Sequence, residues 1–210
     1  MDLEKALLHL SQQDRILKRL IKQVGPCTLR PRRQTEPFAA LVRSVAYQQL
    51  TGKAAATILA RVVALFPGKP FPSPEDLQAI PEEDLRKAGL SRAKTAALKD
   101  IAAKTLSGVV PTRKEVRKLS DEEIVARLTV IRGVGPWTVE MLLIFTLGRP
   151  DVWPVTDYGV RKGFAQVHGW KDLPRPAELL EYGERWRPYR SIAAWYFWRA
   201  LDAPVENVKK

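Results

Sequence analysis

Cysteine is almost absent from this chain, which excludes two ways of holding a fold together. Cys27, the single cysteine, closes no internal disulfide and supplies no four-cysteine zinc site, so stability has to come from a core. It reads as a helix-end residue in a reducing compartment. Histidine is nearly as scarce: His9 and His168 stand far apart with no cluster of metal-ligand spacing around them, and each reads as structural or solvated. No apolar run approaches the roughly 20 residues of a membrane span, and Met1-Asp2-Leu3-Glu4-Lys5 lacks the basic-then-apolar order of a signal peptide. A soluble, intracellular protein is the expectation. Sustained period-2 alternation, fixed-period repeats and low-complexity tracts are missing too, apart from a frayed Val208-Lys209-Lys210 end, so the expected fold is all-α. Acid is in short supply. With 23 Asp+Glu against 35 Lys+Arg, the formal charge is +12 and the pI about 10.0, an excess that favours a polyanionic partner, most generally nucleic-acid backbone.

What the chain does have is helical periodicity. At 210 residues and 45% hydrophobic it can build one sizeable core or two closely joined lobes. Residues 2–24 read as one helix or two short ones, with Ser11 and Asp14 available to cap a restart, and Gly25-Pro26 ends them. Helices follow over about 38–50 and 54–65, joined by Tyr47-Gln48-Gln49-Leu50-Thr51-Gly52, and then over about 74–79, 81–88 and 91–106. The turn at Gly89 looks like a degenerate hairpin that places Arg92 and Lys94 near phosphates, with an ordinary helix–helix turn as the alternative. Ser120-Asp121-Glu122-Glu123 caps the helix that leads into the most informative stretch.

That stretch runs from 128 to 164. A helix breaks at Gly133-Val134-Gly135 and a new one starts at Pro136, whose missing N–H costs nothing in a first helical turn. Free amides there form an anion site of phosphate size, so helix, Gly-Val-Gly, helix makes a helix-hairpin-helix candidate that grips backbone without reading bases. Twenty residues past Trp137 stands Asp157, with Thr156 placed to cap the next helix and Asp157 in its first turn, where the dipole favours a carboxylate anion. Taken singly, each of these is commonly an ordinary turn or cap. Their order and separation, with the aromatic residues among the six Trp, shift the balance.

Together these residues resemble the helix-hairpin-helix superfamily of DNA glycosylases, and within it the bacterial 3-methyladenine DNA glycosylase II type. The closer likeness rests on Trp137-Thr138 after the hairpin, the link to Asp157, and Tyr182-Gly183-Glu184-Arg185-Trp186-Arg187-Pro188-Tyr189-Arg190-Ser191. The resemblance implies two helical lobes with the active site in the cleft between them: one of about 1–36 plus 111–210, with the hairpin at 128–148, and one of about 37–110. It implies a cytoplasmic, nucleoid-associated bacterial monomer that acts on double-stranded DNA containing alkylated bases. Some relatives carry an iron–sulfur cluster near the C-terminus, which a chain with one cysteine cannot hold.

For the site, the resemblance makes Asp157 the catalytic carboxylate opposing positive charge on the sugar, and Trp137, Tyr158, Trp198 and Met141 the base pocket. Gln49 becomes the wedge that fills the gap left by an extruded base, with Gln48 beside it. The amides of Gly133, Gly135 and Thr138 hold the DNA backbone. No cofactor is implied beyond a monovalent cation, Na+ or K+, on the main-chain carbonyls of Thr129, Ile131 and Val134 when DNA is bound. Trp137 occupies the place where strand-cleaving relatives carry a Schiff-base lysine, which implies a monofunctional enzyme without lyase activity. Met141 in place of an aromatic residue and Thr156 in place of a second Asp imply a wider pocket, with a range from 3-methyladenine and 7-methylguanine to N1-methyladenine and N3-methylcytosine. The alternative function is a non-catalytic helix-hairpin-helix DNA-binding protein.

Overall fold

The computed structural model describes residues 2–202, and the 208–210 end read above lies outside them. Among the described residues there is no strand. The helices are α1 Leu3–Gln13, α2 Arg15–Val24, α3 Pro37–Tyr47, α4 Gly52–Ala64, α5 Pro74–Ala79, α6 Glu82–Lys87, α7 Arg92–Leu106, α8 Arg113–Val116, α9 Asp121–Leu128, α10 Pro136–Leu142, α11 Tyr158–His168, α12 Pro176–Gly183 and α13 Arg190–Ala200. A π-helical turn, Leu143–Leu147, and a 3-10 turn, Glu184–Trp186, complete the set.

Local chemistry explains most of the boundaries. The segment 2–24 is two helices because Asp14 leaves helical geometry, and its Oδ1 accepts the amides of Ile16 and Leu17 at 2.8 and 3.0 Å. Reciprocal caps start three more: Ser73 with Asp76, Thr112 with Glu115, and Ser120 with Glu123. Pro37, Pro74 and Pro176 occupy first turns, where no amide partner is lost.

The chain divides into two compact units, 32–142 and the remainder. The sequence reading grouped 111–142 with the termini; α10 instead packs on α3 and α9, so the hairpin stands in the unit 32–142. In that unit α7 packs against α3, α5 and α6, and Leu41, Val42, Leu77, Leu85, Leu98, Ile101, Ile124 and Val139 are almost wholly buried. Each such side chain contributes roughly 1.5–3 kcal/mol of burial. In the other unit α13 packs on α11 and α2, around Leu10, Leu17, Leu20, Phe164, Trp186, Tyr196 and Phe197. The α11–α13 contact is unusually close: a Cβ on Gly163 would fall 2.0 Å from the Phe197 carbonyl oxygen.

Candidate active site and nucleic-acid interface

Within the unit 32–142, the hairpin turn depends on glycine at one position. Gly133 has φ +75°, and a Cβ there would meet the Ala97 methyl at 2.9 Å, so conformation and space both exclude a side chain. Ile131 and Val134 turn into the core, and the Val134 amide donates to the Ile131 carbonyl at 3.1 Å. The Asp100 carboxylate takes the Arg132 amide at 2.7 Å. Gly133 and Gly135 lie exposed, whereas Thr138 is buried. Thr129 ends α9, its hydroxyl donating back to the Val125 carbonyl at 2.8 Å.

The Gln48-Gln49 junction lies on this hairpin. Gln48 is a tether: its Nε2 donates to the Gly133 carbonyl at 3.0 Å and approaches the Thr138 hydroxyl at 3.3 Å. Gln49 is exposed with φ +55°, alone in the left-handed region among the described non-glycine residues. Lys94 does not reach outward as the sequence suggested. Its ammonium donates to the Ala46 and Gln48 carbonyls at 2.9 and 2.6 Å, closing the end of α3, and burial lowers its pKa. Other cations are spent the same way: Lys99 on the Gln78 and Ile80 carbonyls, Arg127 on that of Val109. Trp137, 39% exposed, lines a surface cavity with Ser44, Tyr47, Gln48 and Gln49, and Met141 is half-buried one turn further along α10.

The other unit carries the acid. Asp157 is 8% exposed and is itself the N-cap of α11, while Thr156, assigned that role from sequence, is exposed. Asp157 Oδ1 accepts the Val160 amide at 2.7 Å and the Trp198 indole N–H at 2.8 Å. The Trp198 ring meets Phe145 of the π-helical turn, centroids 5.4 Å apart. π-Helical turns recur at functional sites. Tyr158, by contrast, is 63% exposed, with the Lys162 ammonium 5.9 Å from its ring centre. Asp157 and Trp198 are therefore brought together, and Tyr158 points its ring to solvent beside them.

The segment 182–191 fixes the irregular connection before Asp157. Arg190, 7% exposed, binds Asp151 through Nε at 2.7 Å and Nη2 at 3.0 Å, and also reaches Glu184. The Ser191 hydroxyl donates to the Arg149 carbonyl at 2.8 Å and accepts the Val152 amide at 2.9 Å. Trp153 donates to the Leu179 carbonyl and packs edge-on to Trp186. His168 is buried 3.5 Å from Asp14 and stacked on Phe164, a structural role, and Cys27 is buried with its thiol pKa raised by desolvation. Sequence reasoning missed Phe145, the Gln48 tether and Gly159, whose reason for being glycine lies in Trp198. Among the described residues no three His, Cys, Asp or Glu converge on a metal position, and no helix is long and apolar enough to cross a membrane.

Residues 42–188 match the family model described as the HhH-GPD superfamily base excision DNA repair protein. DNA-3-methyladenine glycosylase 1 of Schizosaccharomyces pombe is 44% identical over 94% of this chain and 87% of its own length. The solved S. pombe 3-methyladenine DNA glycosylase in complex with abasic DNA superposes with a TM-score of 0.87 at 42% identity, covering 98% of this chain and all of that one. The DNA-3-methyladenine glycosidase of Bacillus halodurans gives 0.83 at 32% identity, over 95% and 89% of the two chains. Fission yeast thus stands beside bacteria among the similar proteins, and the chain belongs to the HhH-GPD superfamily of base excision DNA repair proteins.

Proposed function

We propose that this protein is a monofunctional DNA glycosylase that extrudes an alkylated base from duplex DNA and hydrolyses its N-glycosidic bond. The observation that carries the reading is Asp157: a carboxylate buried at the N-terminus of an eleven-residue helix, with Oδ1 fixed by two N–H donors, in a chain whose relatives are named for 3-methyladenine removal. As the base leaves with the bonding electron pair, positive charge grows on the deoxyribose. A carboxylate about 4 Å from that charge, at an effective dielectric constant near 20, stabilises it by about 4 kcal/mol. Water then bonds to C1′ and gives its proton to the carboxylate or to solvent. An alkylated purine departs as a neutral molecule because the electron pair cancels its charge, so acid assistance is small.

Beside Asp157, Trp198 and Tyr158 supply aromatic faces for the base, and Trp137 with Met141 offers an apolar surface on the unit 32–142. Aromatic faces attract a cationic base by about 1–2 kcal/mol when desolvated, which favours 3-methyladenine and 7-methylguanine and extends to N1-methyladenine and N3-methylcytosine. Gln49, exposed on a left-handed turn, is the wedge, and the amides of Gly133, Gly135 and Thr138 face the backbone phosphates. The main-chain carbonyls of Thr129, Ile131 and Val134 would hold a monovalent cation, the Ile131 oxygen sharing it with the Val134 amide; Na+ or K+ there would supply positive charge to a phosphate and take no part in bond cleavage. Trp137, in place of a lysine, leaves no amine at that position for strand cleavage. The protein acts as a monomer on double-stranded DNA. The test is to incubate it with methylated duplex DNA and identify freed bases by mass spectrometry, with the strand run on a denaturing gel. Released 3-methyladenine and 7-methylguanine with an unnicked strand are expected; tight DNA binding without release would leave a non-catalytic clamp.

A further inference from the structure

We infer that Trp198 is a positioning residue for the Asp157 carboxylate, and that Gly159 is glycine in order to admit it. The inference rests on the glycosylase reading above and goes beyond a pocket-wall role for Trp198. The two donors to Asp157 Oδ1 come from different helices: the Val160 amide from the first turn of α11, and the indole N–H from α13. A cap amide alone leaves a carboxylate free to turn about its own side-chain bonds. The second donor, from a helix 41 residues further along, fixes the group in the frame of both helices. Phe145 packs against the indole at a 34° tilt, so the ring has a second neighbour besides the carboxylate.

Gly159 supplies an independent observation. It lies in the first turn of α11 and has no positive φ, so its backbone does not require glycine. Glycine within a helix costs up to about 1 kcal/mol relative to alanine. What excludes a side chain is the site: a Cβ at 159 would stand 2.8 Å from Trp198 Cδ1, 3.1 Å from Trp198 Nε1 and 3.1 Å from Asp157 Oδ1. One methyl group there enters the hydrogen bond itself.

The role separates cleanly from that of a wall. A wall residue affects each base according to its shape, whereas a misplaced carboxylate affects the sugar charge, which is common to all. The experiment measures single-turnover release of 3-methyladenine and of 7-methylguanine by Gly159→Ala, Trp198→Phe, Asp157→Asn and the double variant Asp157→Asn/Trp198→Phe, with thermal scans of each. Gly159→Ala and Trp198→Phe are each expected to slow both bases by the same factor, roughly 10- to 100-fold, with affinity for abasic duplex DNA held within about threefold. Trp198→Phe should cost nothing further once Asp157 is Asn. Factors that differ between the bases, an additive double variant, or a folded Gly159→Ala with the wild-type rate would overturn the inference. Should Trp198→Phe fail to fold, Gly159→Ala, which keeps both side chains, decides the matter. A wild-type protein that releases no base sinks the glycosylase reading instead; the Trp198 indole N–H resonance, compared between wild type and Asp157→Ala, which removes the acceptor, then reports the hydrogen bond on its own, and an unmoved resonance refutes it.

Discussion

Replacing Gly163 by alanine adds one methyl group where α11 and α13 come closest. Helix propensity alone favours the change by about 1 kcal/mol. The new Cβ would lie 2.0 Å from the Phe197 carbonyl oxygen and 2.7 Å from its carbon, about 1.4 Å inside ordinary contact, and both are backbone atoms that no rotamer change can move. The helices must separate locally, opening the packing around Phe164 and Phe197, at a cost near the top of the usual 1–3 kcal/mol for overpacking. The net loss is about 2 kcal/mol, which for a chain of this size lowers Tm by about 4–8 °C. Because Trp198 follows Phe197 on α13 and Asp157 caps α11, the same shift lengthens their 2.8 Å hydrogen bond and slows base release. Differential scanning calorimetry, with Gly52→Ala as control, checks the magnitude: nothing lies within 4 Å of a Cβ at 52, so that variant holds or raises Tm. A Gly163→Ala protein at least as stable as wild type would refute the packing argument.

Gln48→Ala removes the tether to Gly133 and Thr138, two partly exposed hydrogen bonds worth about 1 kcal/mol together, and should weaken binding to abasic duplex DNA about fivefold by fluorescence anisotropy. For Asp14, burial pushes the carboxyl pKa up, but the His168 contact and the amides of Leu17 and Ile16 outweigh it, leaving the pKa below the ordinary aspartate value. A depressed folded value means the stabilisation is present above the unfolded value and is lost as pH falls through the folded one. Asp14→Ala should therefore cost about 2 kcal/mol in urea titrations at neutral pH, with the gap to wild type narrowing below about pH 4; a constant gap would contradict the assignment. DNA affinity should fall steeply between 50 and 200 mM salt, as it does for a protein that neutralises several phosphates.

What the sequence made legible was mostly local. Serine, threonine and proline at helix starts act within one turn, so the cap at Ser120 and the start at Pro74 could be placed from neighbours alone. The Gly-Val-Gly-Pro turn and Asp157 were legible for the same reason. The choice between Thr156 and Asp157 as cap was not, since both residue types cap well and the deciding partner, Trp198, lies 41 positions away. Lys94 was misread because its two carbonyl partners are brought to it only by the packing of α3 on α7. Gly159 and Gly163 carry no local turn signal; each is glycine because of a neighbour on α13. The segment 182–191 was recognisable as a likeness, but its physical task, binding the connection at 149–152 through Arg190 and Ser191, became visible only in the structure.

The account stands on the charge of one carboxylate. Asp157→Asn preserves the side chain's size and its capping ability while removing that charge. Single-turnover release of 3-methyladenine from methylated duplex DNA should fall about 10³-fold, the rate equivalent of about 4 kcal/mol, with affinity for abasic DNA essentially unchanged. Release at the wild-type rate by a folded, DNA-binding Asp157→Asn protein would contradict it.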